Sequence, residues 1–471
     1  MQRYEKTGKF WVVNEHGAQQ GEVRGGRLTF DPAEGGMLEV GDNFREEDDF
    51  SDRKLVVWGK VGFTGLPVTL LHVYALQDGR YIVNQILDGG HFQEAEVFTE
   101  AVVRISDLPD WVSAEAINID VKNAIGEDRR AMSLEVVLPE AQAATFARGT
   151  LTLRFTWDYH PVEYGRVTVD QWPQFELAYD EPTPYTTIVD DVGNILDLMS
   201  LCVDRLCDVD ELYFRRDDLP ERSLAGTSFP GTRRRIGFLA GRKQHVPIEE
   251  RQQRNRVHML ASYDEVGGID VIARWLDTAP DLHPILGFLS SMRFTNGIYP
   301  ENRFLNVCSA AEGYHRMLRP KQTYMDPAQF KALLKSLKQL VPDEHRRWFA
   351  EATNHANSAS LAERLTDMAM AVSDVSTALV GDTSTWVKVV KTVRNELTHL
   401  EGGRPHYDGD DLRWLAESVY TITRVYLLLQ AGMSMDSVGN IARRGPVWSV
   451  RDAIRAAITN VAKQRESHGT A

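Results

Sequence analysis

The chain has 471 residues, 43% of them hydrophobic and 25% charged, with a formal net charge of −14. That length exceeds what one core serves, so two or three domains of a soluble globular protein are expected. The acidity argues against a strong nonspecific nucleic-acid binder, but it is unevenly spread. Lys and Arg against Asp and Glu give 31 against 48, or −17, over residues 1–300, and +3 over 301–471. The last third can therefore still hold a few phosphates locally.

Cys202, Cys207 and Cys308 form neither a zinc pattern nor a disulfide framework. The start, Met1 to Lys6, has no apolar signal region, and runs such as Val425 to Leu429 are too short to span a bilayer. The expectation is a cytoplasmic protein that engages no membrane.

From residue 8 to about 180 the pattern is β. Phe10 to Val13, Arg27 to Phe30, Met37 to Val40, Leu55 to Val61, Val68 to Tyr74 and Tyr81 to Leu87 are short, β-branched or aromatic runs. Turn residues such as Asp78-Gly79 separate them. Val97 to Ile105, Ser133 to Leu138, Gly149 to Trp157 and Arg166 to Ala178 continue the series, as in a sandwich or a curved antiparallel sheet system. No nucleophile, base and oxyanion donor come together here. The segment reads as a sensor or regulatory domain, with Trp11, Trp58, Trp157 and Trp172 as core.

Residues 181–297 read as a mixed, mainly helical connecting region. Ile195, Leu198, Met199, Cys202 and Leu206 make one apolar helical face. The stretch 232–256 carries +6 and contains Arg233, Arg234, Arg235, Arg242 and Lys243. Such a run fits contact with RNA phosphates, docking on the acidic β half, or plain solvation. Two helices, about Ile269 to Leu276 and His283 to Met292, lead to a boundary near Gly297 and Pro300.

From 298 to 471 the pattern is all-α, with spans near 301–318, 327–340, 343–354, 360–378, 384–400, 409–432 and 447–464. The fold class is thus α+β multidomain, a β-rich sandwich-like N-terminal domain followed by a helical bundle. His345 and His355 are not at metal-ligand spacing, and neither a P-loop nor a dinucleotide fingerprint occurs. No metal or cofactor is expected.

The polar cluster Arg394, Asn395 and His399 stands at the end of the fifth of these helices. Trp386, Val390, Val393, Leu397 and Leu400 form its apolar stripe, and Asn395 and His399 fall one turn apart on the opposite face. His399 lies in the last turn, where the negative end of the helix dipole favours a cation. An imidazole there suits a general base for the 2′-hydroxyl of RNA, and the planar guanidinium of Arg394 suits charge on phosphate oxygens. That scheme requires no metal. The products would be a 2′,3′-cyclic phosphate and a 5′-hydroxyl. Arg154/His160 and Arg251/His258 repeat the spacing without a bundle helix beneath them, so spacing alone fits a solvated face equally well. Glu312 and His315 are three apart on the first helix of the bundle, and could face the active helix or be a surface pair or satisfied core group.

Arg394-Asn395-Glu396-Leu397-Thr398-His399 resembles the R-x4-6-H signature of HEPN domains, including the polar residue after the arginine. Glu301 to Asn306 and Ala310 to Arg316 resemble the opening helix of the ApeA-like HEPN branch. Gly8 to Trp11, Gly26 to Asp31, Val61 to Gly65 and Val68 to Leu71 are similar to the ApeA N-terminal domain. The resemblance implies an anti-phage defence protein whose helical half is a ribonuclease acting as a homodimer. Arg394 and His399 are then catalytic and Asn395 supporting. RNA is the substrate, tRNA being one candidate, and a phage-derived trigger relieves restraint by the N-terminal half. The alternative is a noncatalytic HEPN scaffold.

Overall fold

The computed structural model describes residues 3–44, 54–114, 117–123, 130–162, 166–221, 229, 232–241, 255–295, 297–320, 322–354, 356–399 and 407–468. The chain divides into two compact units. One is Met1–Arg256 with Ser262–Asp277, and the other is Val257–Ala261 with Thr278–Ala471.

The first unit opens with six strands, β1 (Tyr4–Val13), β2 (Gln19–Asp31), β3 (Gly35–Val40), β4 (Leu55–Val61), β5 (Leu66–Ala75) and β6 (Arg80–Asp88). Alternate residues point inward, so Leu55, Val57, Gly59 and Val61 of β4 are buried while Lys60 is exposed. Antiparallel pairing in the order β6-β3-β2-β1-β4-β5, with β5 returning to β6, closes a barrel. The curved antiparallel form is thus the one adopted, and closure removes sheet edges. Phe10, Leu28, Leu38, Val57, Val68, Leu70, Tyr81 and Ile86 fill its interior. Gly59 faces Phe10 across β1 and β4, and a Cβ there would sit 2.5 Å from the ring. Glycine is what lets that ring enter the core.

The sheet extends beyond the barrel through β7 (Val97–Ile105), β10 (Gln142–Phe146), β11 (Gly149–Val162), β12 (Arg166–Pro184), β13 (Val209–Arg215) and β14 (Ile236–Ala240). A separate hairpin is made by β8 (Ile117–Asn123) and β9 (Arg130–Val136). β14 joins wing to barrel. Residues Arg80 to Val83 of β6 pair with β3, and Gln85 to Asp88 pair with β14 on the same edge. Short α1 (Leu108–Val112) and the long α2 (Tyr185–Val203) accompany the wing. Trp275 donates its indole hydrogen to the Asn194 carbonyl of α2 at 2.8 Å. Three of the expected core tryptophans are packed: Trp58 stacks on His91, Trp11 meets His91 edge-on, and Arg104 covers Trp172. Trp157 is half exposed.

Beyond the short α3 (Tyr263–Val266), α4 (Gly268–Phe294) runs as one helix where two were expected. Its apolar stripe continues through Leu276, Ala279, Leu282, Ile285 and Leu289, so it carries Pro280 and Pro284 despite the backbone donors they remove.

The second unit is helical: α5 (Pro300–Leu318), α6 (Pro327–Leu340), α7 (Arg346–Ala352), α8 (Leu361–Ala371), α9 (Ser373–Val380), α10 (Thr383–His399), α11 (Gly409–Ala431), α12 (Met435–Ile441) and α13 (Gly445–His468). α11 is buried almost all round, from Leu415 to Leu428, and α5, α8, α9 and α13 pack on it. The expected helix 360–378 breaks at Val372. There the Ser376 hydroxyl donates to the Ala369 carbonyl at 2.8 Å, replacing a ladder bond with a side-chain bond. α12 escaped the periodicity reading because it is only two turns long; Ser434 caps it by accepting from the Ser437 amide.

Candidate active site

α10 begins at an Asp382 cap, whose carboxylate accepts from the Thr385 and Ser384 amides. Its buried stripe is Trp386, Val387, Val389, Val390 and Val393. Trp386 donates to the Ser418 hydroxyl of α11 at 2.8 Å, fixing the helix's rotation. With Val393 held inward, Arg394 and Asn395 are half-buried and His399, the last helical residue, is exposed. His399 has no hydrogen-bond partner among the described residues.

The Arg394 guanidinium is shared. Its Nη1 donates to Asn395 Oδ1 at 3.3 Å, and its Nη2 lies 3.6 Å from Glu312 Oε2 on α5. Arg316, one turn on, donates to the other Glu312 oxygen at 2.7 Å. Glu312 thus sits between two cations. Cys308, a turn earlier, lies buried beneath; burial pushes its thiol up to about 12, with the nearby Arg394 cation acting in the opposite sense. On the other side Arg465 of α13 holds Thr392 at 2.7 Å and approaches Glu396 at 3.8 Å.

His315 does not join this group. It is fully buried, with Nδ1 3.2 Å from Arg364 and Nε2 3.4 Å from Asp367, both on α8. Burial, and then the Arg364 charge, hold it below the ordinary histidine range. Of the two residues expected on α5, Glu312 therefore faces Arg394 and His315 is a core polar group. Arg316 and Arg465 went unnoticed in the sequence. Arg316 was legible as the i+4 partner of Glu312, whereas Arg465 needs the packing of α13 on α10.

The basic run behaves differently from α10. Arg233 pairs with Glu100 at 2.5 Å and Asp217 at 3.6 Å, Arg234 donates to the Gly89 carbonyl, and Arg235 covers the Tyr213 ring. These three arginines are engaged with the acidic β unit. Arg242 and Lys243 lie outside the described residues, as does Leu400, the expected end of the α10 stripe. Among the described residues no group of three or more His, Cys, Asp or Glu could hold a metal ion, and no helix is long and apolar enough to cross a membrane.

The chain matches two family models, ApeA N-terminal domain 1 over residues 5–275 and Apea-like HEPN over residues 305–437. No curated protein and no solved structure matches it. The second match contains Glu312, Arg394, Asn395 and His399, and the first covers the barrel and its wing. The chain belongs to the ApeA-like HEPN family, with an ApeA N-terminal domain ahead of its HEPN helices.

Proposed function

We propose that this protein is a metal-independent endoribonuclease that halts phage infection by cutting RNA. Its family is that of anti-phage HEPN proteins. What supports the reading is the end of α10: Arg394 is within 3.3 Å of Asn395, and His399, one turn beyond Asn395, is exposed on a helix whose opposite side is buried.

In the proposed reaction His399 removes the proton from a ribose 2′-hydroxyl, and the 2′-oxygen attacks the adjacent phosphorus. The bond from phosphorus to the 5′-oxygen breaks, and that oxygen leaves with a proton from a second His399 or from water. A 2′,3′-cyclic phosphate and a 5′-hydroxyl result. Arg394 answers the charge developing on the phosphate oxygens, and Asn395 orients the guanidinium. Two chains set two Arg394/His399 pairs against one cleft, each supplying what the other lacks. The β-rich half restrains the nuclease until a phage product engages it.

The test compares phage plaquing and total RNA in cells expressing wild type, Arg394→Ala or His399→Ala at equal levels. Protection and RNA cleavage should be lost together, with 5′-hydroxyl ends seen only for wild type. Full protection by a folded His399→Ala protein would leave a scaffold role in its place.

A further inference from the structure

Between α5 and α8 the chain leaves the bundle. Asn357 ties the neck of this excursion: its carbonyl accepts from the Tyr324 amide at 2.9 Å, its Oδ1 accepts from the Met325 amide at 2.9 Å, and its Nδ2 donates to the Met325 carbonyl at 3.1 Å. Beyond the neck, Asp326 caps α6 by accepting from the Ala328 and Gln329 amides. α6 turns back through α7, and neither helix has a single buried residue.

This arm is ordered and amphipathic, yet its apolar side faces solvent. Phe330, Leu333, Leu337 and Leu340 recur at spacings of three, four and three, the a/d seam of a helix that packs on another helix. Leu333 is 42% exposed, Leu337 38% and Leu340 80%, with Tyr324 at 72% and Trp348 at 67% nearby in sequence. A bundle helix of this pattern ordinarily hides that seam.

We propose that the α6–α7 arm is a self-association surface, on which the seam of one chain covers the seam of a second copy. Two observations select that occupant. At 100° per residue, Lys331, Lys335 and Lys338 fall roughly opposite the seam, at its outward b and f positions. An anionic partner seated on those lysines would leave the leucines in water, whereas a twin helix covers the leucines and leaves the lysines solvated. Second, a symmetric pair needs a self-complementary stripe. A two-fold centred at position 335 sets Leu333 against Leu337 and Phe330 against Leu340, in both directions. The proposal rests on the dimer put forward above only for its meaning in RNA cleavage.

Sedimentation velocity on the full chain reads association alone, so its outcome stands apart from the nuclease reading. Wild type should form a dimer with a dissociation constant on the order of micromolar. Leu333→Asp/Leu337→Asp, with unchanged circular dichroism, should raise that constant at least ~100-fold. Lys331→Ala/Lys335→Ala/Lys338→Ala should leave it unchanged. An equimolar mixture of Leu333→Cys and Leu337→Cys chains adds a positional readout: oxidation should link one to the other. A wild-type monomer at ~100 µM, well above that constant, or a Leu333→Asp/Leu337→Asp protein that still dimerises, overturns the proposal. Binding of monomeric wild type to phosphatidylglycerol vesicles or to single-stranded RNA, lost in the leucine variant, overturns it in favour of that ligand.

Discussion

Glu312 on α5 lies 3.6 Å from Arg394 on α10 while its other oxygen takes a 2.7 Å hydrogen bond from Arg316. The carboxylate is thus a fixed point that aims the Arg394 guanidinium from a neighbouring helix. Glu312→Gln should keep the shape and lose the attraction, lowering kcat for RNA cleavage about tenfold, or ~1.4 kcal/mol of barrier. KM should hold, and stability should change by less than about 1 kcal/mol because the pair is partly exposed. Single-turnover kinetics beside thermal melts would separate these effects. A raised KM at constant kcat would assign Glu312 to substrate binding.

The buried imidazole of His315 makes stability depend on pH. Its folded pKa is depressed by burial and by Arg364, whereas the unfolded chain titrates near the ordinary value of about 6.5. Between those two values the unfolded state binds more protons, so stability rises with pH there and is complete above about pH 6.5. Denaturation midpoints should therefore fall as pH drops below that point. His315→Ala should flatten this slope while costing roughly 2–4 kcal/mol, since Arg364 and Asp367 lose their bridge.

Chelation offers a test of the chemistry. The proposed reaction uses only His399, Arg394 and Asn395, so cleavage by purified protein should survive excess EDTA with its rate unchanged. The same preparation carrying His399→Ala should lose at least ~100-fold in rate with or without chelator, as expected for removing a general base. Loss of wild-type cleavage with EDTA and its return with one divalent ion would replace the scheme.

Glu100 on β7 also lies between two cations, Arg215 at 2.6 Å and Arg233 at 2.5 Å, and unlike Glu312 it is buried. Removing the shared anion takes the carboxylate partner from the part-buried Arg215 while Arg233 keeps Asp217, so Glu100→Ala should cost about 1.5–3 kcal/mol. Arg233→Ala should cost closer to 1 kcal/mol, because Arg215 still pairs with the carboxylate. Urea melts of the two variants would check the order.

How legible the protein was in sequence followed from the range of the interactions involved. The strand runs of the barrel and α5, α6, α10 and α11 were readable because alternation and 3.6-residue stripes are local. β13 and β14 were not: Val209–Arg215 and Ile236–Ala240 are short, and they become strands by finding β7 and β6 far back in the chain. At the site, Arg394, Asn395 and His399 stood out through local spacing on one helix. The partition of Glu312 toward Arg394 and His315 toward Arg364 required knowing where α8 and α10 lie around α5. Whether the arginines at 233–235 were solvated could not be read from their density either, since Glu100 and Tyr213 approach them only in the folded sheet.

The double pairing of β6 has a consequence for cooperativity. On one edge of this uninterrupted strand the first half carries the barrel's β3 ladder and the second half the wing's β14 ladder, while β5 pairs along the other edge. A slip of one residue would turn Tyr81, Val83, Ile86 and Leu87 away from their places in both at once. Barrel and wing therefore cannot melt in separate steps without breaking a shared strand, and the β-rich unit should unfold in a single transition.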